Sequence, residues 1–330
     1  MKKIAVICAA GLDNFIDPII EGLADEYNVR KFIVRNKWDI HNAIHWGDTI
    51  FFEWCNEVAV TGTNYKGIQG KKVIIRLHSY EIFTNYPKQI NWDTVNKLIF
   101  VAPHIKEILN ELSPGILDKV DTEVIYNGVD VKNIPYKERF PANNIAWVGY
   151  INYKKNPSMA LQILYELVTG VPNLDNIDLT YTCDPRYILH IAGSYQDLRY
   201  KVYLEHMIKE MGLEDNVIFH GWIDDMESFW KDMNYLLHTS IHEGHSLAIT
   251  EAMARGIKPI IHNFRGAKEL YDTKEDSTTL GLLFNTVNHA ANNIISKEYH
   301  SKWYRDWVID KGWTLQNQLE KINNIIKEII

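Results

Sequence analysis

The 330-residue chain has only three cysteines, Cys8, Cys55 and Cys183, too few and too far apart for a disulfide framework or a metal-ligand spacing. A reducing compartment, the cytoplasm, is the expected setting. Long hydrophobic runs are also missing: no stretch approaches the ~20 apolar residues that cross a bilayer. The run after Met1-Lys2-Lys3 is about six residues, shorter than the roughly 7–15 of a signal peptide. A soluble protein is expected, or at most one resting on a membrane surface. Positive charge is not in excess. The net charge of −7, with the surplus acid beyond residue 140, argues against a nucleic-acid partner, whose phosphates demand clustered Lys and Arg. No fixed-period repeat or low-complexity tract occurs. Ala10-Gly11 in the first turn is not the glycine-rich dinucleotide fingerprint, so an NAD reading loses its main support. No Asp-x-Asp occurs to suggest a metal.

What is present reads as two α/β domains, since single cores stop growing near roughly 250–300 residues. Ile4–Ala9 is a continuous apolar run, followed by a helix-periodic stretch from Phe15 to Leu23 and a second strand at Val29–Val34. The pattern recurs at Thr49–Phe52, Lys72–Leu77 and Leu98–Val101 and closes at Val124–Tyr126. Strands apolar along their whole length imply a parallel sheet covered on both faces. Asn133–Asn144, with two prolines and mixed charge, has the composition of a linker. A second series opens at Ile145–Gly149 and continues through Tyr187–Gly193, Val217–Gly221, Tyr235–Thr239 and Lys258–His262. From Trp313 the tail is helical, with Leu315, Leu319, Ile322, Ile326 and Ile329 on one face that must dock somewhere apolar. Domains are therefore expected at 1–140 and 141–300, with 301–330 as a C-terminal helix.

The most informative stretch runs from His242 to Gly256. Gly244 suits a tight loop, Ser246 an N-cap, and Ala248–Arg255 a helix stopped by Gly256. Amides at such a helix start, with the helix dipole behind them, favour an anion, and phosphate is the natural occupant. Glu251 lies about 7.5 Å along the axis from Ser246, within reach of a neighbouring hydroxyl-bearing group such as ribose. Glu243 precedes the helix on the other side of the anion, where it can accept hydrogen bonds from another polyol, a sugar. On spacing alone, a surface loop with two solvated glutamates explains the segment equally well.

The segment resembles the Glu-x7-Glu signature of retaining glycosyltransferases of family 4, whose usual Glu-Gly-Phe-Gly-Leu start reads Glu243-Gly244-His245-Ser246-Leu247 here. The resemblance implies that Glu243 meets the donor sugar, that amides of Gly244–Leu247 hold sugar and phosphate oxygens, and that Glu251 binds ribose. Val148–Asn156 is similar to the family's Gly-Arg-Leu segment ending in Lys-Gly, which holds the diphosphate. Gly149 and Lys155 match, but Tyr150 stands where the Arg usually does, leaving Lys154 or a later Arg to compensate. Gly193-Ser194 and Gly221-Trp222-Ile223 resemble the turns that line the nucleotide base, and Arg265–Leu270 follows in the family's order.

The N-terminal half matches more loosely. His78 ends a strand at the edge where open α/β sheets put ligands; by the resemblance it faces the donor sugar. Position alone suggests Gly11, Glu53, Trp54 and Glu81 as acceptor-binding, with Trp54 offering a ring face to a sugar. The family's fold is GT-B, two Rossmann-like domains with parallel sheets facing a central cleft that holds the active site, the last helix crossing back to the first domain. The implied reaction moves a sugar from a nucleoside-diphosphate sugar to a glycan, lipid-linked or small-molecule acceptor with retention, the leaving phosphate acting as base and no metal required. Lys155, Glu243 and His78 are the expected catalytic residues. A sugar-nucleotide epimerase and a non-catalytic sugar-nucleotide or glycan-binding module are the alternatives.

Overall fold

The computed structural model describes residues 1–13, 15–172, 181–272, 281–296 and 298–330. They divide into two compact units, one of Met1–Asp130 with Gly312–Ile330 and one of Val131–Lys311.

Unit 1 is a six-stranded sheet of β1 (Lys3–Ala9), β2 (Asn28–Val34), β3 (Thr49–Glu53), β4 (Lys72–Leu77), β5 (Lys97–Phe100) and β6 (Asp121–Val124), in the order β2-β1-β3-β4-β5-β6. All its pairings are parallel. Successive side chains of a strand point to opposite faces, and β1 shows why it had to be apolar throughout. Ala5 and Ile7 pack with Ile40 and Ile44 on one face, whereas Ile4, Val6 and Cys8 pack with Ile322, Ile325 and Ile326 on the other. The apolar stripe of the tail thus docks on unit 1 through the helix Leu315–Ile329, with Leu315, Leu319 and Ile329 at its margins. Two backbone bonds, Val129 N–H to Trp313 O at 3.1 Å and Leu315 N–H to Val129 O at 2.9 Å, tie the helix's entry to the end of the unit's first segment.

Unit 2 contains β7 (Asn144–Val148), a short antiparallel hairpin of β8 (Val171–Pro172) and β9 (Tyr181–Thr182), then β10 (Ile188–Ala192), β11 (Val217–Gly221), β12 (Tyr235–His238), β13 (Lys258–His262) and β14 (Leu283–Phe284). Its main sheet has the order β11-β10-β7-β12-β13-β14, again parallel. Counted in chain order without the hairpin this is 3-2-1-4-5-6, the doubly wound arrangement whose ligand crevice lies where the order reverses, here between β7 and β12. In unit 1 the reversal falls between β1 and β3.

The stretch with linker composition is mostly exposed, but one of its residues anchors it. Arg139 is buried in unit 2, donating to the carbonyls of Trp230, Lys231, Met233 and Arg255 at 2.6–3.2 Å. Arg305 does the same to Val131, Ile134 and Ala254. These cations, spent on backbone oxygens, draw residues from Val131 onward into the unit, so the division falls earlier than residue 140.

Candidate functional site

At the unit 2 crevice, three glycines stand at the ends of neighbouring strands, and Gly193 lets two of those ends approach one another. Gly149, Gly193 and Gly221 follow or end β7, β10 and β11, and all have positive φ, at 148°, 150° and 68°. Only glycine reaches such angles freely. A Cβ on Gly193 would stand 1.9 Å from the Gly149 carbonyl oxygen, and one on Gly149 would stand 3.1 Å from Cε of Lys155. The bare backbone at Gly149 is therefore what the Lys155 side chain passes over. Ser194 continues this shelf, its carbonyl accepting from Ile151 N–H at 2.9 Å.

Lys155 reaches Glu243, with Nζ 2.6 Å from Oε1, while Lys154 Nζ stands 3.8 Å from Oε2. Two ammonium groups thus face one carboxylate. Ile241 N–H donates to Lys154 O at 2.9 Å and Thr239 Oγ1 to Lys155 O at 2.8 Å, stitching the loop after β12 to the loop after β7. Burial would raise the Glu243 carboxyl; Lys155, Lys154 and His238 more than offset it and hold it well below the usual carboxylate range. A fixed negative charge is thus clasped by two cations.

His238, at the end of β12, was not anticipated. Its Nε2 lies 3.2 Å from Ser246 Oγ and 3.7 Å from Glu243 Oε1. Burial, aided by both lysines, pushes its pKa down to about 3, so the ring is neutral at pH 7. The available signal was a polar residue closing the apolar run Tyr235-Leu236-Leu237. Ser246 is the N-cap residue by position, but its hydroxyl is used on His238 and makes no cap bond to the helix Leu247–Ala254. Gly244 and His245 are buried in the same loop, and Leu247 is half-buried. Glu251 projects from that helix; burial raises its carboxyl, against Arg255 and the Trp230 indole, which lower it. Tyr150 and Trp222 form an exposed aromatic pair, ring centroids 5.8 Å apart, with Ile223 half-buried beside them.

The unit 1 constellation also gathers at its order reversal, after β1, β3 and β4. Gly11 turns at φ 78° with nothing within 4 Å of where a Cβ would stand, so its angle, not crowding, requires glycine. Glu53 ends β3 fully buried, ion-paired with Arg76 at 3.3 Å and 2.7 Å from His78 Nε2. Trp54 adopts φ 85°, a left-handed angle that costs a bulky residue on the order of 1–3 kcal/mol. Its ring stacks on His78 with centroids 3.9 Å apart. Glu81 is fully buried and accepts from the backbone N–H groups of Cys55, His78 and Ser79. Glu53 and Glu81, expected from position at an acceptor pocket, are both buried with their carboxylates engaged inside the unit.

Residues 138–296 match the family of glycosyl transferases group 1. The matched segment is a little under half the chain and contains both lysines, the glycine shelf and the whole Glu243–Glu251 stretch. Among curated proteins, the chain is 24% identical over 258 residues to the GDP-Man:Man(3)GlcNAc(2)-PP-Dol alpha-1,2-mannosyltransferase of Dictyostelium discoideum, covering 74% of this chain and 47% of that protein. It is 26% identical over 206 residues to the GDP-mannose:cellobiosyl-diphosphopolyprenol alpha-mannosyltransferase of Xanthomonas campestris, covering 59% and 50%. The chain thus spans about half the length of these relatives. Among solved structures it is similar to Anabaena HepE in complex with UDP-glucose, with a TM-score of 0.74 at 15% identity over 99% of this chain and 100% of that one. The lipopolysaccharide outer core galactosyltransferase WaaB aligns with a TM-score of 0.68 at 17% identity, over 99% and 100%. The fold is that of the GT-B glycosyltransferases. Among the described residues, no helix is long and apolar enough to cross a membrane.

Proposed function

We propose that the chain is a retaining glycosyltransferase of family 4 type, moving a hexose from a nucleoside-diphosphate sugar to a hydroxyl of a glycan or lipid-linked acceptor. The observation that carries this reading is the Lys155–Glu243 contact of 2.6 Å, with Lys154 beside it, at the order reversal of a doubly wound sheet. When a donor binds, its diphosphate takes the two ammonium groups and frees Glu243 to accept hydrogen bonds from sugar hydroxyls. The acceptor oxygen bonds to the anomeric carbon, the bond from that carbon to the phosphate oxygen breaks, and the acceptor proton passes to the leaving phosphate. Lys155, Lys154 and the amides of Gly244–Leu247 stabilise the departing charge, a preorganised electrostatic role that calls for no metal. Glu251 holds ribose, and Tyr150 and Trp222 flank the base. Mannosyl and glucosyl donors are the first to try, since relatives are named for GDP-mannose and HepE was solved with UDP-glucose.

A thermal-shift screen of sugar nucleotides identifies the donor, because a specific ligand stabilises by RT ln(1 + [L]/Kd). With that donor, Lys155→Ala and Glu243→Ala should each lower turnover by about 10²-fold or more, and NMR of the product should show the donor's anomeric configuration. Wild-type turnover in both variants refutes the assignment. Conversion of the donor sugar without any acceptor supports an epimerase instead, and binding without transfer or hydrolysis supports a binding module.

A further inference from the structure

We infer that Glu53 is a positioning residue that fixes the tautomer of His78, so that the imidazole presents Nδ1 as a bare acceptor to a substrate hydroxyl. An ionised carboxylate only accepts hydrogen bonds, so the 2.7 Å contact of Glu53 Oε1 with His78 Nε2 places the ring's hydrogen on Nε2. Glu53 is ionised: burial would raise its carboxyl, and the Arg76 guanidinium, with the hydrogen bond from His78, holds it below the usual range instead. Arg76, itself buried and also bonded to Asn127, supplies the countercharge, so a neutral imidazole leaves no unbalanced charge inside the unit.

The ring is held on its face and through its backbone as well. Trp54 stacks on it with an interplanar angle of 24°, and the indole cannot swing away because its N–H donates to Leu12 O at 2.7 Å and its backbone N–H to Arg76 O at 3.0 Å. Glu81 takes the amides of His78 and Ser79 at 3.1 and 2.8 Å. Such support explains why a tryptophan is kept at φ 85°. Among the described residues, no group hydrogen-bonds Nδ1. A bare lone pair accepts from a hydroxyl and finds no proton on an ionised phosphate oxygen, so this edge of unit 1 takes a polyol and not an ionised phosphate. That the polyol is a sugar substrate rests on the transferase reading; the tautomer does not.

Long-range proton–nitrogen spectra of the full chain labelled at histidine nitrogen read the tautomer directly, with His78 assigned by its loss in His78→Gln. The expected result is a proton on Nε2, slow to exchange, and none on Nδ1. A proton on Nδ1 or a rapid mixture of tautomers overturns the assignment, whatever reaction the protein performs. Transfer from UDP-glucose and GDP-mannose is then compared for Glu53→Gln, His78→Gln and the double variant. If Glu53 acts through His78, Glu53→Gln lowers kcat roughly tenfold or more, and the double variant is no slower than His78→Gln alone. Additive losses assign Glu53 to the fold and refute the positioning role. Should Glu53→Gln fail to fold, Glu53→Asp, which keeps a charge for Arg76 but withdraws from Nε2, carries the same comparison. Absence of turnover with both donors counts against the transferase reading and leaves the spectra to decide the tautomer.

Discussion

Replacing Gly193 with alanine tests whether unit 2 depends on the close passage of two strand ends. The new Cβ would lie 1.9 Å from the Gly149 carbonyl oxygen and 2.8 Å from its carbon. Both are backbone atoms, so neither can rotate aside, and a retreat of about 1.5 Å is needed to restore ordinary contact near 3.4 Å. That retreat breaks the bonds that join these ends, Gly149 N–H to Ala192 O at 3.0 Å and Gly193 N–H to Gly221 O at 2.7 Å. Positive φ costs ~1–3 kcal/mol, overpacking ~1–3 kcal/mol and each of the two lost bonds ~1 kcal/mol, which together give about 4–8 kcal/mol. For a unit of this size that corresponds to a Tm lower by roughly 10–30 °C. Gly212→Ala is the control, with φ 64° and nothing within 4 Å of its Cβ, so it reports backbone strain alone. Denaturant unfolding followed by tryptophan fluorescence suits the comparison, because Trp147 is buried on the strand that must move. If Gly193→Ala unfolds within about 1 kcal/mol of Gly212→Ala, the strand ends are not held as described.

Three further outcomes follow from the same packing. Arg139→Ala should cost about 3–5 kcal/mol, the scale for stripping a buried charge from its partners, since four carbonyls lose their donor; a change under about 1 kcal/mol in urea unfolding means that the segment is the solvated linker its composition suggests. Lys258 is buried, and burial pushes its pKa down to about 8 against an ordinary 10.5. Between those values the unfolded chain binds the extra proton, so stability rises with pH by up to about 1.4 kcal/mol per unit; Lys258→Met should flatten that rise measured from pH 8 to about 10, and equal slopes refute it. Thiol titration of the native protein should modify Cys183 alone, because Cys8 and Cys55 are buried and burial raises both thiols; rapid reaction of two or three thiols contradicts the packing of β1 and of the turn after β3.

Much of the architecture was legible because burial leaves a mark on composition. A strand covered on both faces has no polar alternation, so β1, β3 and β12 stood out by their apolar runs. The stripe on the last helix was equally plain, since a face that meets Ile4, Val6 and Cys8 must repeat at three and four. Charged residues gave less away. Prolines and mixed charge between Asn133 and Asn144 look the same whether the arginine is solvated or spent on carbonyls, and only the fold brings Trp230, Lys231, Met233 and Arg255 to Arg139. Glu53 ends β3 and Glu81 lies in the short helical turn after β4, but neither place says which way a carboxylate turns. Glu81 turns back on the amides just before it, and Glu53 turns inward to an arginine on the neighbouring strand.

The pairing that matters most for function, Lys155 with Glu243, spans 88 residues, and no local pattern relates its members. Chain order explains why they meet. β7 is the first strand of its sheet, and the chain then builds outward on one side with β10 and β11 before returning to add β12 on the other. The loops leaving β7 and β12 therefore start from adjacent strands, paired at Ile145 with Tyr235, and the bonds from Ile241 and Thr239 hold them side by side. Lys155 comes from one loop and Glu243 from the other. The same reversal between β1 and β3 sets Gly11 beside Glu53 and Trp54 in unit 1. Residue chemistry supplied the candidates at both places; the reversal of strand order is what selects, among many polar strand ends, the ones that can act on the same ligand.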